Sequence, residues 1–117
     1  WVTMNKIIAV ILIQISAICH GSEIEKNYSG TYVFGPEVQS FKPCNEKTNF
    51  WVSFDWAGIE MHEFYQQSQT EPYQAMYIEF RGQVLDEVVD GFAEDYNGLI
   101  RISEVRKYTF EVPATCK

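Results

Sequence analysis

The residues best suited to catalysis or metal binding lie around the histidine at position 62. The stretch His62-Glu63-Phe64-Tyr65-Gln66 matches half of the zinc-protease pattern H-E-x-x-H, in which two histidines one helical turn apart hold the metal. Gln66 replaces the second histidine, so we expect His62 to be an ordinary surface residue of a helix. The other histidine, His20, lies in a polar stretch near the N-terminus, and no nucleophile with a base and an orienting group stands out. We therefore predict no catalytic residues and no enzyme.

Metal or small-ligand binding is the alternative chemistry that the residue types allow. Met61 and His62, together with Met76, offer soft ligands of the kind that cuprous copper prefers. An acidic run before the last predicted strand contains Asp90 and Asp95, whose carboxylates are ligands that calcium prefers. The two methionines fall on core-facing positions, however, and most acidic runs are solvated surface. We predict no cofactor and keep a copper, calcium or small-ligand site as the alternative.

The three cysteines divide into one near the N-terminus and a pair, Cys44 and Cys116, in the rest of the chain. In an oxidising compartment such a pair forms a disulfide, and a bridge over so long a loop would add about 4 kcal/mol of stability at most. The alternative is a metal or redox pair. It is disfavoured because the C-x-x-C spacing and a nearby histidine are both missing.

Aromatic residues make up 15% of the chain and are concentrated in the predicted strands. Trp51, Trp56 and Tyr77 are candidates for an exposed face that binds a peptide or a glycan. The alternative role for strand aromatics is to fill the interior of a barrel. Nucleic acid is excluded as a partner, because the net charge is -7 and no cluster of lysine and arginine could neutralise phosphates.

The N-terminal stretch has the three parts of a secretory signal, which we place over residues 1–21. Lys6 supplies the positive region, residues 7–15 form a short apolar core, and small residues follow. Cleavage would release a periplasmic or secreted protein. The alternative is a lipoprotein anchored to the outer membrane through Cys19, although Ile18 is an unfavourable neighbour for lipidation. Membrane attachment is therefore predicted only if Cys19 carries lipid.

Changes of hydrophobic period predict one mostly β domain over 22–117. Alternation predicts strands over 30–34, 37–44, 48–54, 75–82 and 99–112. Helical spacing of apolar residues over 55–69 predicts one helix, with Asp55 as its N-cap. We expect a flexible lead-in over 20–27 and a loop over 83–95. Five strands with a helix between the third and the fourth is the order of an OB-fold barrel.

The chain resembles the C-terminal OB-type domain of the NlpE envelope lipoproteins and its free-standing relatives. The resemblance covers nearly the whole mature chain and rests on these residues: Gly30-Thr31-Tyr32, Phe41-Lys42-Pro43-Cys44, Trp51, Tyr65, the run 77–82 (Tyr-Ile-Glu-Phe-Arg-Gly) and Cys116.

That resemblance implies a small barrel with a disulfide from the second strand to the C-terminus, and a role in envelope stress or surface sensing. The larger members also carry an N-terminal domain with a C-x-x-C motif, which this sequence lacks, so copper or redox sensing does not carry over. We expect a non-enzymatic exported domain that binds an envelope protein or serves as an accessory sensing domain.

Overall fold

The structure is a computed structural model that describes residues 24–85 and 95–116. Its elements are β1 (Lys26–Gly35), β2 (Val38–Pro43), β3 (Phe50–Phe54), a 3-10 turn (Trp56–Gly58), α1 (Ile59–Ser68), β4 (Met76–Leu85) and β5 (Leu99–Thr109). The proposed signal segment, with Cys19, and the acidic residue Asp90 lie outside the described residues.

The five strands close into a barrel in the order β1-β2-β3-β5-β4. β3 and β5 pair in parallel, while the other neighbouring strands pair antiparallel. This strand order, with the helix between β3 and β4, confirms the predicted OB-like fold. Closure leaves each strand with two neighbours and so removes the free sheet edges that invite aggregation.

The barrel is filled by the inward side chains that alternate along each strand. In β4, Met76, Ile78 and Phe80 are buried to 1% exposure or less, as their alternation predicts. α1 closes one end of the barrel with Met61 and Tyr65, which are also buried. The complete buried cluster comprises Tyr32, Phe41, Val52, Met61, Tyr65, Met76, Ile78, Phe80, Ile100 and Ile102. Interior packing is therefore the role of most strand aromatics.

Two glycines let neighbouring strands approach each other closely. A methyl group on Gly30 in β1 would overlap the backbone carbonyl of Lys42 in β2. A methyl on Gly82 in β4 would likewise overlap the carbonyl of Arg101 in β5, next to an irregularity in the pairing of these strands. Glycine is the residue that tolerates such contacts where a barrel strand bends.

Several predicted boundaries were wrong because they depend on tertiary pairing. β1 begins at Lys26, within the supposed flexible lead-in, because Lys26 and Asn27 pair with Gly82 and Arg81 of β4. Asp55 makes no capping hydrogen bond, since a 3-10 turn precedes α1 and Gly58 is the residue at its N-cap.

Within 24–85 and 95–116, no helix is long and apolar enough to cross a bilayer.

Candidate functional site

Cys44 and Cys116 form the predicted disulfide, which joins the end of β2 to the C-terminus. We call residues 110–116, which lead from β5 to this bridge, the C-terminal strap. The strap is also held by a hydrogen bond from the Asn45 amide to the carbonyl of Thr115 (2.9 Å). At its start, Phe110 packs against Tyr65 of α1, with the ring centroids 5.5 Å apart. The bridge therefore ties the strap across the barrel to strand β2, which is not a neighbour of β5.

His62 lies in an aromatic cluster and is half-buried, so it is less open to solvent than the surface position that we expected. Its Nδ1 lies 3.0 Å from the hydroxyl of Tyr32, a fully buried side chain of β1. Its ring packs edge-on against Phe34 at a centroid distance of 4.3 Å, and Phe54 lies 5.8 Å away. The error has a physical cause: α1 closes the barrel, and position 62 faces strand residues that are distant in sequence.

The electrostatics of this cluster favour a neutral imidazole. Burial lowers the pKa of His62, and the nearby Glu63 carboxylate opposes that shift only partly. Burial, with a smaller effect from Tyr65, raises the pKa of Tyr32 far above its usual range. The Tyr32 hydroxyl therefore keeps its proton and shares a hydrogen bond with His62 Nδ1. This arrangement fixes α1 on β1.

Of the predicted metal ligands that the structure describes, the two methionines lie in the core and Asp95 lies on the surface. Met61 and Met76 are buried in the apolar core, with 1% and 0% of their surfaces exposed. Asp95 is an exposed residue just before β5. In the part of the chain that the structure describes, no three histidine, cysteine, aspartate or glutamate side chains come close enough together to hold a metal ion.

Tyr77, one of the three candidate binding aromatics, is only 7% exposed. It follows the buried Met76 in β4, so its side chain lies on the outer face of the barrel. Its hydroxyl donates a 2.6 Å hydrogen bond to Glu79, which is the main reason that its pKa is raised. The ammonium group of Lys107 lies 6.0 Å from the ring centroid. These contacts make Tyr77 part of the outer wall.

Trp51, the second candidate, is half-buried on the outer face of β3. It is the partner of Ser40 in β2 and of Leu99 in β5. Tyr96 packs edge-on against its indole, with the ring centroids 5.4 Å apart. Trp51 therefore helps to hold the residues before β5 against the barrel.

Trp56, the third candidate, is the most exposed of the large hydrophobic side chains that the structure describes. It is 86% exposed on the 3-10 turn before α1, and Ile59, one turn later, is 38% exposed. The turn is anchored nearby, because the buried Gly58 packs so tightly against Phe54 that a methyl there would overlap the phenyl ring. We call Trp56 and Ile59 the tryptophan face.

A groove that the sequence did not reveal lies where the β1–β2 turn meets the loop between α1 and β4. Its volume is about 600 Å³, within the usual range for ligand sites. The hydroxyl of Tyr73 donates to the carbonyl of Pro36 at 3.2 Å and so links the two sides. The lining residues are Phe34, Gly35, Pro36, Gln69, Thr70, Glu71, Pro72 and Tyr73. Since the two segments are more than thirty positions apart, no local pattern could have predicted this groove.

Comparison with known proteins found no matching family model, no matching curated protein and no matching solved structure.

Proposed function

We propose that the chain is a non-enzymatic exported protein whose barrel binds an envelope protein through the tryptophan face. The observation that carries this proposal is the 86% exposure of Trp56 in a domain whose other described aromatic side chains, apart from Tyr73, are buried or half-buried. Tryptophan is enriched among the residues that dominate the binding energy of protein interfaces. An exposed tryptophan beside an exposed isoleucine is thus a favourable anchor for a partner.

The support beneath this face is rigid, which suits a preformed docking surface. Tyr108 of β5 donates a 2.8 Å hydrogen bond to Glu60 in the first turn of α1. The bond between Tyr32 and His62 fixes the next turn of the helix. A partner would therefore lose little binding energy in ordering the surface.

The proposed compartment is supported by the disulfide, which persists in oxidising surroundings, and by the secretory pattern of the N-terminal sequence. A role as an accessory domain in envelope stress or surface sensing rests on the resemblance to the NlpE proteins alone. This role is the biological context in which a partner would be sought.

Affinity capture from an envelope extract tests the proposal. The intact protein should retain a discrete partner, and Trp56→Ala should lose most of it because the anchor is removed. Val112→Ala is a matched control, since Val112 is also an exposed apolar residue (37%) but lies on the C-terminal strap. Equal retention by Trp56→Ala and the intact protein would refute the proposed docking face.

A further inference from the structure

We propose that the groove between the β1–β2 turn and the α1–β4 loop binds an extended, proline-containing peptide segment that carries a basic residue. This site is distinct from the tryptophan face, because it adjoins the C-terminal end of α1 whereas Trp56 precedes the helix. The inference thus adds a second binding site and does not depend on the first.

The lining of the groove matches the chemistry by which proteins recognise polyproline II segments. Phe34 and Tyr73 supply aromatic rings, and Pro36 and Pro72 supply rigid apolar surface. Aromatic-lined open grooves bind proline-rich peptides because the extended helix is already formed and loses little entropy on binding. A volume of about 600 Å³ accommodates several side chains of such a segment.

Hydrogen bonds hold the groove open in one conformation. The Gln74 side chain accepts a 2.7 Å bond from the backbone N–H of Thr70, which closes the α1–β4 loop on itself. Tyr65 of the core donates a 2.7 Å bond to the carbonyl of Gln74 and so fixes the loop to the barrel. Tyr73 is fixed in turn to Pro36. A preorganised groove of this kind favours a rigid ligand.

Backbone strain is concentrated on both sides of the same groove. Tyr73 has φ 58° and Glu37, which follows Pro36 in the β1–β2 turn, has φ 64°. In the described ranges the only other non-glycine residue with positive φ is Asn45, a type that tolerates this conformation. Strained non-glycine residues cost about 1–3 kcal/mol each and are concentrated at binding sites. The backbone conformation of Tyr73 directs its ring toward the β1–β2 turn, where its hydroxyl bonds to Pro36.

The charge around the groove selects a basic ligand. Glu71 is the charged residue in the lining of the groove. Glu37 directly follows Pro36, another lining residue, in the sequence. The sequence between positions 48 and 80 contains five acidic residues and no lysine or arginine. An arginine or lysine at one end of the bound segment would therefore face carboxylates.

Fluorescence anisotropy with the full chain tests the proposal directly. The probe is a labelled peptide of repeated Pro-Pro-Leu units that ends in arginine. We expect saturable binding with a Kd below about 1 mM. Replacing proline by alanine in the probe, or arginine by glutamate, should each weaken binding by about tenfold. Absence of saturable binding, or equal binding of the alanine peptide, would overturn the proposal.

Three variants assign the binding to the groove. Tyr73→Asn removes the ring but keeps a residue that tolerates positive φ, and Gly35→Ala adds a methyl that overlaps the Tyr73 ring and displaces it. Each should weaken binding by about tenfold, and Glu71→Gln should reduce both the affinity and its dependence on salt. Val112→Ala changes an exposed apolar residue (37%) outside both proposed sites, so it is the matched control and should bind the probe like the intact protein. Unchanged affinity in Tyr73→Asn and Glu71→Gln would place the peptide elsewhere and overturn the proposal.

Discussion

At the scale of single residues, the most informative contact is the one between His62 and Tyr32. This contact joins a helix residue to a strand residue thirty positions earlier. The imidazole ring of His62 also packs against the phenyl ring of Phe34. The sequence pattern located His62 on a helix but gave no sign that its ring would be half-buried among aromatic side chains. Whether a polar residue on a helix is exposed depends on what packs opposite it, and that is decided by the tertiary fold.

Acidification should destabilise the protein through His62. Its pKa is lowered in the folded state, so the unfolded chain binds more protons than the folded one as pH falls below about 6.5. The free energy of unfolding should therefore be highest above that pH and should fall as pH decreases toward the lowered folded pKa. Urea unfolding at about pH 7.5 and about pH 5.5 measures the difference.

His62→Gln is the control for this effect, because glutamine can still form a hydrogen bond with the Tyr32 hydroxyl but does not titrate. The pH-dependent loss of stability in this range should be smaller in the variant than in the intact protein. An equal loss of stability in the variant and in the intact protein would show that other titratable groups cause it.

Replacing Trp56 should affect binding and leave folding unchanged. Its side chain is 86% exposed, so Trp56→Ala should alter the free energy of unfolding by less than about 0.5 kcal/mol. Chemical denaturation checks this expectation. A loss of several kcal/mol would mean that the indole packs against the domain, which contradicts its role as an open anchor.

At the scale of elements, alternation along the strands predicted most of the sheet. Met76, Ile78 and Phe80 are buried, and the helical spacing correctly placed Met61 and Tyr65 on the inner face of α1. The pattern failed where pairing extends into polar sequence, as at Lys26 and Asn27. The candidate sites were more difficult to predict than the strands. Trp56 was proposed from its residue type alone. The groove could not be predicted, because it is formed by two loops that only the closed barrel brings together.

Gly30 shows how one position controls an element. Gly30→Ala should cost about 2–4 kcal/mol, because its methyl would overlap backbone atoms of β2 that cannot move without opening the barrel. Thr31→Ala, at the next position of β1, should have a much smaller effect. Thermal unfolding of both variants tests this, and an equal effect would show that the strands have room to separate.

At the scale of the whole molecule, the Cys44–Cys116 bridge links the C-terminal strap to the barrel. The cysteines are 72 positions apart, so the bridge restricts a large part of the unfolded chain. The pair was predictable from the sequence, because only these two cysteines remain once the N-terminal one is set aside.

Removing the bridge should destabilise the domain without changing its fold. The double variant Cys44→Ser/Cys116→Ser should lose up to about 4 kcal/mol in free energy of unfolding, by the loop-entropy argument. Denaturation of the intact protein with and without reductant provides an independent comparison. If reductant has no effect on the midpoint, the two cysteines are not bonded in solution.

If Trp56 contacts a protein partner, as we propose, site-specific photo-crosslinking should capture that contact. A photoreactive phenylalanine analogue would replace Trp56 or, as the control, Val112 in cells that make the protein. We expect a discrete covalent adduct from position 56 and none from position 112. No adduct from position 56, or the same adducts from both positions, would contradict the proposed contact.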